Sequence, residues 1–201
     1  MKRSLDTRRM VTLAMLSAIL LMMSFTPLGY LNIGPLAISL NMIPVGIAAM
    51  ALGPTGGAFL GAMFGITSFL QCIGIGGTSA MGVILFEIDP LLAFVQRFVP
   101  RLLAGYLSGL VYVGVKKLSA SALASYATGF CAALLNTVLF MLALVLCFGQ
   151  TEYIRSLMDG QNVIVFICTF VGVNAVVELF ATTAVVGLVG RVLNIVVFSR
   201  R

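Results

Sequence analysis

Arg97 and Arg101 lie inside the segment from Phe86 to Gly109, FEIDPLLAFVQRFVPRLLAGYLSG, which is otherwise largely apolar and long enough to cross a bilayer. A cation at that depth costs about 2.5 to 3.5 kcal/mol on insertion scales, so the fold must give both guanidinium groups partners. Their i, i+4 spacing sends the two side chains off the same side of one helix, toward a shared polar interior. Two readings follow. In one, the arginines are structural and tied to carbonyls or to an acid on a neighbouring helix. In the other, they form a site for an anionic solute.

Composition decides the class of fold. Hydrophobic residues make up 61% of the chain, charged residues 9%, and the mean hydropathy is +1.15. Soluble domains carry about a quarter charged residues, so this is an integral membrane protein. At about 20 apolar residues per crossing, the length allows about six helices and no soluble domain. The expectation is an all-α bundle of six transmembrane helices forming one domain over residues 1–201. The net charge of +6 sits beside apolar runs and reads as a topology signal, not as a nucleic-acid surface. Cys72, Cys131, Cys147 and Cys168 lie singly in apolar runs, as small buried hydrophobes do, with no spacing for a metal or a disulfide framework. Histidine is absent, which removes histidine proton relays, haem ligation, serine–histidine proteolysis and HExxH zinc chemistry.

The chain begins MKRSLDTRRMVTLAMLSAILLMMSF, a basic leader and an apolar run that continues to about Pro27. No small-x-small cleavage site follows, so the run reads as a first span and not as a signal peptide. Leu28 to Leu40, with GYLNIGPLAISL at its core, reads as an ordered outer loop. A short second helix over Asn41 to Leu52 leads to a tight turn, Gly53-Pro54-Thr55-Gly56-Gly57. The third helix carries Gly57, Gly61 and Gly65 at every fourth position, a stripe that lets another helix approach closely. It is expected to end near Gln71 to Ile75, where IGIGGTSAMG opens an outer loop running into Glu87 and Asp89. No strand precedes those glycines, so they are not a dinucleotide loop. The fourth helix descends to Lys116 and Lys117, and the fifth covers Ala122 to Cys147. A polar loop, GQTEYIRSLMDGQN, then precedes a sixth helix from Val163 to Phe198. Basic clusters at the start, at Lys116–Lys117 and at Arg191, Arg200 and Arg201 all fall on one face of this arrangement, which the positive-inside rule makes cytoplasmic for both termini.

At 1.5 Å of rise per residue, Arg101, Asn136 and Asn174 come out roughly 16 to 18 Å below the outer surface on three different helices. Glu178 lies one turn deeper than Asn174 on the same face, and Arg97 and Gln71 lie nearer the outside. Unpaired polar groups in hydrocarbon cost several kcal/mol each, so three helices contributing them at one depth predicts a polar layer. Either these residues bind a solute, or Glu178 neutralises Arg101 while the asparagines bridge helices. Arg97 is the cation left without an obvious counter-charge.

The basic start with Ala14-x-x-x-Ala18, the LGPTGGAFLGAMFG segment from Leu52 to Gly65, PRLLAGYLSGL from Pro100 to Leu110, and the Asn174-to-Glu178 pattern resemble the substrate-binding S component of an energy-coupling factor vitamin transporter. The GYLNIGPLAISL loop and the TSFLQC ending of the third helix look most like pantothenate-type members, with riboflavin binders next. The resemblance implies a vitamin-binding protein of the bacterial plasma membrane, without cofactor or metal. It further implies a transmembrane coupling subunit and two cytoplasmic ATPase subunits as partners. The chain has no GxxxxGK[ST] loop of its own. By the same motif, Ala14 and Ala18 match the surface that docks on the coupling subunit, whereas from the residues alone they serve equally as bundle packing. A lipid-modifying membrane enzyme is the competing class, and its acids would have to be Glu87 and Asp89, although Asp89 before Pro90 is an ordinary helix start. A channel or scaffold is the third class, and would retain no tightly held vitamin.

Overall fold

The computed structural model describes residues 2–26, 29–32, 37–77, 79–118, 121–158 and 162–193 of the chain. Its elements are α1 (Lys2–Ser24), the short strands β1 (Tyr30–Asn32) and β2 (Ala37–Ser39), α2 (Met42–Leu52), α3 (Pro54–Leu70) with a 3-10 turn at Gln71–Ile73, α4 (Ala80–Ile88), α5 (Pro90–Leu118), α6 (Ser121–Phe148), α7 (Glu152–Met158) and α8 (Val163–Leu193). Five segments are long and apolar enough to cross a membrane, namely Thr7–Ser24, Pro54–Ile73, Pro90–Leu118, Ala122–Phe148 and Asn174–Val192, and the shorter α2 makes a sixth apolar helix. The protein is an all-α membrane bundle of about six helices.

Several expected boundaries shift for identifiable reasons. The turn after α2 is Gly53 alone, because Pro54 is already the first residue of α3 and Gly53 adopts φ 80° and ψ −168°, a backbone region open essentially to glycine. The expected loop before Asp89 contains helix α4, started by Ser79, whose hydroxyl accepts from the Gly82 N–H at 3.3 Å. Phe86 therefore belongs to α4, and the helix bearing the arginines starts at Pro90. Asp89 Oδ1 starts it by accepting from the N–H groups of Leu91 (2.9 Å) and Leu92 (3.0 Å). The polar outer segment after α6 folds into α7, and the expected extension of the last helix to Phe198 falls outside the described residues beyond Leu193. The first loop holds an antiparallel ladder that pairs Tyr30 with Ser39 and Asn32 with Ala37.

The glycine stripe on α3 does what its spacing predicts. A Cβ placed on Gly57 or Gly61 would collide with the carbonyl oxygens of Gly105 and Arg101, and one on Gly65 would stand 2.8 Å from the Phe98 Cα. α3 and α5 thus run antiparallel with backbones in contact. α6 and α8 are also antiparallel, with Gly129 against Thr182 and Thr183 and Gly190 against Ser125. Hydrogen bonds from Thr67 and Gln71 to Ser24 bring the far ends of α1 and α3 together. Arg8 and Arg9, Lys116 and Lys117, and Arg191 consequently gather at one end of the bundle.

Leu20, Met42, Val45, Leu60, Phe64, Ala104 and Ala132 pack five helices together at the centre. Met81, Leu85, Met141, Leu144, Phe148 and Ile154 join α4, α6 and α7 near the opposite end. Large apolar side chains such as Leu91, Leu146 and Phe180 stand outward, which suits a surface facing lipid. Cys72 is buried and Cys131 and Cys147 half-buried, all as free thiols, while the Cys168 side chain is outside the described residues.

Candidate functional site

Close contact with α3 leaves α5 little freedom, and from that helix Arg97 and Arg101 project into the interior, 6% and 5% exposed. Arg97 Nη1 donates to Ser68 Oγ on α3 (3.4 Å) and Nη2 to Ser79 Oγ at the start of α4 (3.2 Å). Its guanidinium carbon is 5.3 Å from the centroid of Phe140 on α6. Among the described residues these partners are hydroxyls and a ring, and the buried Nε meets no acceptor. Arg101 Nη1 donates to the Arg97 carbonyl (2.8 Å), and its guanidinium lies over Phe64 (4.7 Å) and Phe140 (4.9 Å). Phe140 therefore receives both cations, a contact worth about 0.5 to 2 kcal/mol in desolvated surroundings.

Across the interior, Asn136 on α6 donates from Nδ2 to Glu178 Oε1 on α8 at 3.0 Å, with both side chains buried. The Ser39 backbone N–H at the end of β2 also donates to Glu178, and Arg101 lies within electrostatic reach. The first loop thus enters the bundle, where its backbone finds protein partners as membrane depth requires. Asn136, expected at the depth of Asn174, meets the Glu178 carboxylate. Asn174 sits one turn away on α8, half-buried. The Gln71 amide nitrogen donates to the Ser24 carbonyl at 2.8 Å, which engages it with α1. Ala14 and Ala18 both lie on the exposed side of α1.

Two partners of Arg97 and two buried amides escaped the sequence reading. Ser68 and Ser79 hold Arg97, and Ser79 had a usable signal, as the capping residue type directly before an apolar helix. Gln96 and Asn41 are both fully buried with neither amide atom hydrogen bonded among the described residues. Gln96 had a signal too, being an amide beside Arg97 in an apolar span. Pro100 also removes the helical donor from the Gln96 carbonyl.

This arrangement suits binding and not bond-making. Asp89 is engaged as a helix cap and Glu87 is exposed, so the one close acidic pair does not face the interior. Instead, two buried cations and the hydroxyls that hold them share the Phe140 face of α6 with the Asn136 amide one turn away, and Glu178 of α8 meets that amide. The family model described as ECF transporter, substrate-specific component, matches residues 8–198, and the chain belongs to that family. It is a transporter component of the membrane and not an enzyme. Among curated proteins, the pantothenate transporter PanT of Leuconostoc mesenteroides subsp. mesenteroides is 27% identical over 195 residues, covering 93% of this chain and 92% of that protein.

Proposed function

We propose that this chain binds pantothenate from outside the cell and delivers it through an energy-coupling factor importer. The observation that carries the reading is Arg97, a buried cation held by two serine hydroxyls and an aromatic face, with Nε still lacking an acceptor. Pantothenate brings the matching chemistry, since its carboxylate needs a cation and its amide and hydroxyl groups need hydrogen-bonding partners. The identity to a pantothenate transporter points the same way. Arg101 on α5 and Asn136 on α6 complete the candidate site, with Asn174 and Gln71 as further candidates. The end bearing Arg8, Arg9, Lys116, Lys117 and Arg191 faces the cytoplasm by the positive-inside rule. The coupling subunit docks on the outward Ala14–Ala18 face of α1, where small side chains permit close approach of a helix, and two cytoplasmic ATPase subunits complete the importer.

Mass spectrometry of the solute retained in mild detergent, followed by calorimetric titration, tests the substrate. Pantothenate should be the retained molecule, and failure to bind it would defeat the assignment. Replacing Ala14 and Ala18 together by leucine should abolish assembly and uptake while titrated binding survives. Loss of binding with assembly intact would place those alanines in the bundle interior instead.

A further inference from the structure

The Asn136–Glu178 contact fixes more than a distance between helices. An asparagine amide is two-faced, with a donor nitrogen and an acceptor oxygen on the same carbon, and which face meets a ligand depends on what holds the other. As a carboxylate, Glu178 only accepts, so it selects Nδ2 of Asn136. The Ser39 N–H also donates to the Glu178 carboxylate. Asn136 Oδ1 is left buried, with no donor among the described residues. An amide oxygen in that state costs about 1 to 3 kcal/mol, a cost that a ligand donor would remove.

We propose that Glu178 is a positioning residue that sets the hydrogen-bonding polarity of the site, holding Asn136 so that its oxygen faces a hydroxyl or amide N–H of the solute. The inference rests on the pantothenate reading and adds a division of labour to it. The arginine side supplies donors for the solute's carboxylate, and Asn136 supplies an acceptor for one of its neutral donors. Glu178 itself need not touch the solute. In Glu178→Gln the Ser39 N–H would take the new amide oxygen, and the new amide nitrogen would face Asn136. Asn136 would then turn, offering the solute a donor where an acceptor had been.

The test combines binding with a measurement that needs no vitamin. Native protein and Glu178→Gln, in mildly alkaline buffer, are titrated with pantothenate and with analogues that lack each hydroxyl or carry a methylated amide nitrogen. In the native protein one analogue should bind about ten- to a hundredfold more weakly than pantothenate. In Glu178→Gln pantothenate itself should fall by a similar factor, while that analogue falls little further, so the discrimination collapses. Glu178→Asp should restore part of it. Nitrogen-15 spectra should show the Asn136 side-chain amide protons protected from exchange in the native protein and unprotected in Glu178→Gln. A proportional loss for every analogue, or unchanged affinity throughout, would overturn the proposal. Should the native protein bind no pantothenate, the substrate reading fails, and the Asn136 amide protons judge the positioning role alone: unprotected in the native protein, they overturn it.

Discussion

The two antiparallel helix pairs that carry the candidate site are joined in different ways. Between α3 and α5 the contact is backbone on backbone, since Gly57 and Gly61 face the carbonyls of Gly105 and Arg101 and Gly109 faces Pro54. Between α6 and α8 only Gly129 meets backbone, whereas Gly187 receives the edge of the Tyr126 ring and Gly190 receives the Ser125 hydroxyl and the Met50 sulfur. At Gly57, Gly61 and Gly109 the nearest atoms are backbone, which cannot rotate out of the way. The second pair contains several atoms that can. The cations are mounted on the rigid pair and the carboxylate on the adjustable one. Their partners differ accordingly, since Arg97 has neutral hydroxyls and a ring while Glu178 has N–H donors from two elements. The anion is thus solvated by the protein more completely than Arg97, whose Nε meets no acceptor among the described residues, and in the proposed function Arg97 is the charge that attracts the solute.

The comparison can be broken most forcefully at Gly61. Gly61→Leu must separate α3 from α5, so about 3 kcal/mol or more should be lost and little monodisperse protein should survive size-exclusion chromatography. A stable variant with native affinity would show that the contact is not rigid. At the next level, Arg97→Gln should preserve the thermal unfolding midpoint within a few degrees and weaken pantothenate binding about ten- to a hundredfold. Arg97→Lys should recover only part, because an ammonium cannot reproduce the planar fork. Unchanged affinity in Arg97→Gln would remove this residue from the site. The smallest effect is expected at Gly187, where Gly187→Ala displaces a ring edge and should cost no more than about 1 kcal/mol in a detergent unfolding assay. A loss as large as that of Gly61→Leu would make the two pairs equivalent.

Much of this rigid scaffold is legible from spacing alone. The glycine stripe on α3 predicts a close helix neighbour, and Lys116–Lys117, with the Gly and Pro breaks, places α2, α5 and α6 within a few residues of their observed ends. The arginines are equally visible, because charge inside an apolar run stands out. What spacing does not show is pairing between helices. Asn136 meets Glu178 through side-chain reach and helix packing, neither of which follows from counting residues inward from a surface. Ser68 looks unremarkable, and Ser79 signals only a helix start, until the fold brings them to one guanidinium, and the Ser39 N–H is a backbone group without any sequence signature. α4 and α7 were read as loops because α4 directly follows the glycine run at 74–77 and α7 lies in polar sequence, and both are too short to show an apolar period.

The turn at Gly53 bears on how the chain enters the membrane. α2 has 11 residues, about 16 Å of helix, roughly half of a hydrocarbon core, and it abuts α3 with one residue between them. During synthesis the insertion machinery meets Met42 to Ile73 as one nearly unbroken apolar stretch. Gly53 at φ 80° and Pro54, which lacks an N–H and disfavours helix in the residue before it, together break that stretch into two helices. Were the break lost, the number of crossings would change by one, and every later helix would face the opposite side of the membrane unless the basic residues at Lys116–Lys117 overruled it. One two-residue turn therefore sets the parity of the whole topology, and with it which compartment the candidate site faces.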